Sequence, residues 1–379
     1  MAQTKSRSRA PRSSPKESSE SNPIGLDTTS EFPNTSGLPA LPLELLLEII
    51  DYFAKELYTY PSPRTYLDRR DVLIALSQTC RALRRKTLPL LWKDIQAFAS
   101  TASISAKSWR GSWREWRQAV NKELIRQCFA VFRAPNIALY VESVTVALTD
   151  FATDGLPLFA HTLSLLTNLK TLHIVHLAYD CYHLLNVFDK LRLPTVKTMV
   201  LPVVPLSARA LLRSCPNVEH FICNSQPDSA HSRRMDSSFL VLLRDTWPSL
   251  KSLRGFPISE AEELDPLLSR CTQLEHLWVR VENTTELVSD PQDQLLRYPT
   301  IISHLRGAHF LRSVRIDFRT TNVDLILATL TAVKPMLNVP LPPREPRLDV
   351  YLPPTLLEDA VVRVRAVLPP ESCAQVTTP

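Results

Sequence analysis

Two stretches of the chain, Leu211-Leu-Arg-Ser-Cys-Pro-Asn-Val-Glu-His-Phe221 and Leu267-Leu-Ser-Arg-Cys-Thr-Gln-Leu-Glu-His-Leu277, align without a gap and share Leu, Leu, Cys, Glu and His. Looser copies stand at 166–174, 193–201, 247–253 and 310–318. Aligned on their first apolar position, the copies are anchored by Val141, Leu169, Val196, Val218, Leu250, Leu274, Leu311 and Leu348, at spacings of 22 to 37 residues. Repetition at this period constrains the fold more than any other property of the sequence. A unit of that length holds one short strand and one helical stretch, neither of which can bury its apolar face alone, so the units must stack.

Each copy has the same grammar. A polar turn leads into a strand of alternating apolar and polar residues, then into an apolar stretch of helical period, expected at 182–191, 207–213, 239–244, 260–268, 323–332 and 356–367. In His276-Leu277-Trp278-Val279-Arg280-Val281 the alternation sends Leu277, Val279 and Val281 inward and leaves His276, Trp278 and Arg280 on the open face of the sheet. The equivalent open positions elsewhere are Thr171 and His173, His220 and Ile222, Ser252 and Arg254, and Arg315 and Asp317. A basic surface carrying a tryptophan is suited to gripping another protein, because Trp and Arg dominate interface energetics. His276, Trp278, Arg280, Arg254 and Arg315 are therefore the candidate client-binding residues. Seven prolines between 335 and 354 leave room there for little more than a short strand at 348–351.

Ahead of the repeats, residues 41–53 read LPLELLLEIIDYF. Pro42 is tolerated in a first helical turn, and a helix running to about Lys55 lines up Glu44, Glu48, Asp51 and Lys55 on one side. The rest of the cylinder is apolar. Leu45, Ile49 and Phe53 form one stripe, and Leu43, Leu46, Leu47 and Ile50 spread the apolar surface further round. Asp68 or Asp71 can cap a second helix ending at Thr79, and Arg81 opens a third that Pro89 ends or kinks before Leu90-Leu91-Trp92. So small a bundle has one core and covers one stripe per helix, which leaves a second face of the first helix for a partner protein.

At these residues the chain resembles an F-box: Leu41-Pro42-x-Glu44-Leu45-Leu46, then Asp-x-Leu-x-Ala-Leu-x-x-x-Cys-Arg at 71–81, then a closing Leu-Trp. The inter-helix segment 56–68 is longer than that family usually carries. The resemblance implies docking of Leu41, Pro42, Leu46 and Ile50 on the small adaptor that links F-box proteins to a cullin scaffold. The units behind it resemble the irregular, Cys-containing leucine-rich repeats that often follow F-boxes, although the asparagine expected after each strand is mostly missing. The implied architecture is α+β or α/β: a disordered tail at 1–37, an F-box-like three-helix domain at 38–98, a linker helix at 99–137, a leucine-rich-repeat-like domain at 138–368, and a disordered tail at 369–379. Another α/β topology is the alternative for the repeat region. The implied role is that of a non-catalytic substrate receptor in a cullin-RING ubiquitin ligase, working in the cytoplasm or nucleus.

Chemistry is expected to be absent. Six glycines could hardly build a phosphate loop, and no HExxH, GxSxG or kinase signature occurs. His173 and His176, three apart on a strand, fall on opposite faces, so no shared metal and no cofactor is expected. Seven cysteines without a CxxC pair fit a reducing compartment, and no apolar leader or 18-residue apolar run predicts a membrane partner. A second reading, from another class, is a nucleic-acid-associated protein. It would use the basic tail of Lys5, Arg7, Arg9, Arg12 and Lys16 together with a helix on which Trp109, Trp113 and Trp116 share a face, each followed by an arginine (Arg110, Arg114, Arg117). The same tryptophan stripe also serves a connecting helix packed on the next domain, which is the reading we favour.

Overall fold

The computed structural model of the chain describes residues 41–52, 63–98, 113–178, 185–202, 208–223, 242–243, 245–257, 268, 270–281, 311–318, 322–337, 347–353, 356, 358–367 and 374–377. Three helices come first. α1 (Leu43–Tyr52) starts directly after Pro42, whose carbonyl accepts the Leu46 N–H at 3.1 Å. α2 (Pro63–Thr79) begins earlier than the expected Asp68 or Asp71 caps, on a proline placed where a helix needs no N–H. α3 (Arg81–Lys93) is capped by Cys80, whose Sγ accepts the Leu83 N–H at 3.5 Å. Pro89 does not end α3. The helix continues to Lys93, with Leu90 and Leu91 packed against a small core made of Leu46, Ile50, Leu73 and Leu83. Lys86 Nζ donates to the Leu41 carbonyl at 2.9 Å and so fixes the entry to α1.

The chain passes from α3 straight into β1 (Asp94–Ala97), the first strand of one sheet. There follow α4 (Trp113–Arg133), a helical turn at Pro135–Ala138, β2 (Ser143–Leu148), a 3-10 segment at Asp150–Gly155, α5 (Leu156–Leu165), β3 (Thr171–Leu177) and β4 (Thr198–Leu201). Then come α6 (Arg209–Ser214), β5 (His220–Cys223), β6 (Ser252–Pro257), β7 (His276–Val281), β8 (Ser313–Phe318), α7 (Val323–Leu337), β9 (Arg347–Tyr351), α8 (Glu358–Val367) and β10 (Ala374–Thr377). All neighbouring strands are parallel, and the ten lie in chain order from β1 to β10. Parallel neighbours need a crossover after every strand, and that is where the helices lie. The sheet therefore starts before and ends after the expected 138–368 span: β1 falls in the segment expected to be helical, and β10 in the one expected to lack structure. Of the helix predicted at 182–191, residues 185–191 are described and form a 3-10 turn at 185–188 in place of an α-helix, while the one predicted at 260–268 lies outside the described residues except for Leu268.

The repeat anchors Val141, Leu169, Val196, Val218, Leu250, Leu274 and Leu311 are all buried, each two residues ahead of its strand. Leu348 is out of phase. It sits inside β9, opposite Val314, which itself is opposite Leu277. Three residues ahead of six of the anchors stands a second buried row of Ala138, Leu166, Leu193, Cys215, Trp247 and Cys271. Trp247 Nε1 donates to the Cys215 carbonyl at 2.7 Å, and the Trp247 backbone carbonyl accepts the Cys271 thiol at 3.8 Å, so three successive units are tied through one residue.

The residue just before each of the first eight strands is charged: Lys93, Glu142, Lys170, Lys197, Glu219, Lys251, Glu275 and Arg312. The carbonyl of each from Glu142 to Glu275 accepts two N–H groups from the start of the next strand, at 2.7 to 3.1 Å. The side chains form a ladder in which Glu142 meets Lys93 and Lys170, Glu219 meets Lys197 and Lys251 at 2.7 Å each, and Glu275 meets Arg312 at 3.0 Å. The two lysine bonds hold the Glu219 carboxyl down at about 2. These pairs stand in water and each stabilises the fold only slightly.

α4 closes the β1 end of the sheet. Leu124, Cys128 and Val131 join the main core, while Val120 and Trp116 pack with Phe98, Ala147 and Val175. Arg70 of α2 meets Glu123 of α4 at 3.0 Å, both side chains largely buried, and Arg69 meets Asp94 of β1 at 3.6 Å. The N-terminal helices are thereby fastened to the sheet through charge as well as through the α3–β1 join.

Candidate functional site

Alternation along β6 to β9 brings a cluster of basic and aromatic side chains onto the open face. Leu277, Val279 and Val281 are buried as the period requires, and His276 and Trp278 are half-exposed. Register places Trp278 opposite Arg315 and Arg315 opposite Asp349. The Arg315 guanidinium lies between two rings, its carbon 3.7 Å from the Trp278 centroid and 3.4 Å from that of Tyr351. Such a stack is stabilised by the negative faces of both rings. Arg254, His276, Leu277, Trp278, Ser313, Arg315 and Asp349 line a recess of about 200 Å³. His276 Nδ1 shares a hydrogen bond with Ser313 Oγ at 2.8 Å, and Arg254, which is exposed, donates from Nε to Ser252 Oγ at 3.0 Å.

Gly255 shapes this corner. It has φ +69, and a Cβ there would lie 2.3 Å from the Cys223 carbonyl oxygen, so only glycine fits. It sits where the β6–β7 register shifts, directly after Arg254. Arg280 is not part of the open surface. It is 6 % exposed, opposite the equally buried Asp317, with a guanidinium nitrogen 3.7 Å from where a Gly255 Cβ would stand. The expected client-binding role of Arg280 is corrected accordingly: with its side chain packed beside Asp317 and over Gly255, Arg280 leaves too little surface for a partner to touch. Asp349 and Tyr351 were not expected in the site, yet alternation in Arg347-Leu-Asp-Val-Tyr351 puts both on the same face, and that signal was sufficient to find them.

The second candidate surface is on α1, and here too the sequence expectation is corrected. Leu46 and Ile50, expected as partner anchors, are 1 % and 0 % exposed because they form the core with Leu73 and Leu83. The apolar residues left outside are Leu45 at 47 %, Ile49 at 44 % and Tyr52 at 75 %, which with exposed Pro42 follow spacings of three, four and three along one face. Leu41 is half-buried.

Trp116 and Arg117 of the tryptophan and arginine helix are used internally, while Arg114 is exposed. Trp116 meets the His176 ring edge-on at 5.9 Å, and Arg117 pairs with Asp150 at 2.8 Å; Trp109 and Arg110 lie outside the described residues, as does the basic tail. Among the described residues no group of three or more His, Cys, Asp or Glu could hold a metal ion, and no helix is long and apolar enough to cross a membrane.

His173, expected on the open face, is also buried, and its Nε2 has no hydrogen-bond partner. Burial pushes its imidazolium down from 6.5 to about 4. The unfolded chain thus binds a proton near 6.5 that the folded chain refuses until about 4. Stability from this residue is complete above pH 6.5 and falls by about 3 kcal/mol as pH drops through that window. Urea midpoints measured from pH 7 to pH 4 are expected to show the decline, and His173→Leu to remove the His173 part of it, leaving that of His176 and His220, which burial also lowers.

No protein-family model matches the sequence, and no curated protein sequence matches it either.

Proposed function

We propose that the chain is the substrate-receptor subunit of a cullin-RING ubiquitin ligase, docking on the ligase adaptor through α1 and holding a protein client on the open face of its sheet. One observation carries the reading. The helical bundle has a complete core, yet Pro42, Leu45, Ile49 and Tyr52 keep a continuous apolar stripe in water. Covering a Leu or an Ile fully is worth about 1.5–3 kcal/mol, so such a stripe on a bundle this small belongs to an interface. The F-box-like spacing of Leu41-Pro42-x-Glu44-Leu45-Leu46 lies on the same helix and favours the cullin adaptor as the partner. Parallel strands in chain order, each followed by a crossover, fit an irregular leucine-rich-repeat array, whose sheet face is the usual place for an extended partner. In this role the chain contributes positioning alone, and other subunits perform ubiquitin transfer in the cytoplasm or nucleus.

The test is co-purification of the full chain with the adaptor. Leu45→Asp combined with Ile49→Asp removes two anchors worth about 1.5 kcal/mol each, so capture is expected to fall by about a hundredfold or more. Both side chains are exposed, and thermal unfolding of the variant should match that of the wild type. Undiminished capture would remove the docking role.

A further inference from the structure

We infer that the recess between β6 and β9 binds the carboxylate side chain of an acidic peptide, Arg315 supplying the fork and Arg254 the second cation. The inference rests on reading the open face as a client surface, and it adds what that client must carry. Both faces of the Arg315 guanidinium are covered by Trp278 and Tyr351, so only its in-plane edge of N–H donors remains open. A planar carboxylate meets that edge with two parallel hydrogen bonds. Among the described residues no hydrogen bond or ion pair engages Arg315, and its Nε is buried without an acceptor. The indole N–H of Trp278, on the same face, is also buried without one. Two donors that folding has stripped of water and left unpaired are poised for an acceptor supplied from outside.

Charge and size narrow the occupant. Among the described residues the lining holds the guanidinium groups of Arg254 and Arg315 against the carboxylate of Asp349, an excess of one positive charge among these three. A monoanion balances that excess, whereas a phosphate group with nearly two charges would meet Asp349 as well. About 200 Å³ suits one side chain and is below the usual volume of a small-molecule pocket. The N–H directions that remain open favour glutamate or aspartate over an amide isostere, because a neutral amide accepts through one oxygen only.

The experiment uses the full chain and a short fluorescein-labelled glutamate-rich peptide with an amidated C-terminus, read by anisotropy. Three comparison peptides carry glutamine, phosphoserine, or glutamine with a free C-terminal acid. The glutamate peptide is expected to bind about tenfold or more tightly than each of them. Arg315→Lys, which keeps the charge and loses the fork, should weaken it by about tenfold, while Lys170→Gln on the charged ladder should leave it unchanged. Trp278→Phe identifies the Trp278 indole N–H resonance, which should shift on addition of the peptide to the wild type; this readout stands even if Arg315→Lys fails to fold. The idea is overturned by no binding, by equal binding of the glutamine peptide, by tighter binding of the phosphoserine or free-acid peptide, by an unmoved indole resonance, or by equal losses in Lys170→Gln and Arg315→Lys. Adaptor capture is measured on the same preparations. Its loss with peptide binding intact would reject the ligase role and leave the site, and the reverse would reject the site and leave the role.

Discussion

Replacing Trp247 by alanine is expected to lower the unfolding free energy by about 5 kcal/mol. Truncating a fully buried tryptophan costs about 3–5 kcal/mol in lost transfer energy and cavity, and leaving the Cys215 carbonyl without its indole donor adds about 1–3 kcal/mol. The ring also loses its contact with Phe221, whose centroid lies 5.4 Å away. Against a total of about 5–15 kcal/mol for a typical domain, this removes a large share. Damage should centre on the junction that the indole spans, between β5 and β6, and spread to β7, because units in a stacked array lean on their immediate neighbours. Trp247→Phe separates the two contributions. It retains most of the apolar volume, orphans the carbonyl, and should cost about 2 kcal/mol. Urea unfolding read alongside hydrogen exchange in β5 to β7 checks both, and a Trp247→Ala protein within about 1 kcal/mol of wild type would show that the indole tie is dispensable.

The reason Trp247 went unremarked at the level of sequence is instructive. Its row is otherwise filled by Ala138, Leu166, Leu193, Cys215 and Cys271, residues alike in being buried but not in type, so no identity marks the position. Anchors that are uniformly aliphatic, such as Leu169, Val218 and Leu274, were legible because the repeat aligns them. The first strand was missed for a related reason. Trp92-Lys93-Asp94-Ile95 has the repeat grammar, with Lys93 starting the charged ladder, but the helical run of α3 reaches to Lys93 and claims the segment. Charge on the open face was half legible. Period two correctly exposed His276, Trp278 and Arg254, but it has no knowledge of the strand next door, where Arg280 and Asp317 stand opposite one another and are both buried. On α1 the composition revealed more apolar surface than one core can cover. It could not reveal the phase, because Leu45 with Ile49 and Leu46 with Ile50 are both apolar pairs at helical spacing, one residue apart, and the choice between them belongs to Leu73 and Leu83.

That choice of phase gives the other large effect. Leu46→Asp is expected to unfold the N-terminal bundle, whereas Leu45→Asp, on the neighbouring position, should leave it folded. Leu46 is sealed against Ile50, Leu73 and Leu83, and removing a buried leucine side chain costs about 2–5 kcal/mol before any charge is considered. An aspartate in its place must also give up water with no partner inside, which adds several kcal/mol or forces it to take up a proton. Four buried side chains cannot absorb that loss. The sheet has its own much larger core, so hydrogen exchange should find amides of α1 and α3 unprotected while β2 to β8 keep their protection. The fastening of α2 to α4 through Arg70 and Glu123 should retain α2 longest. Leu45 is nearly half exposed and faces water, so Leu45→Asp should change stability by no more than about 0.5 kcal/mol. If both variants melted together, the stripe of Pro42, Leu45, Ile49 and Tyr52 would be part of the fold, and its claim to be a docking face would fail with it.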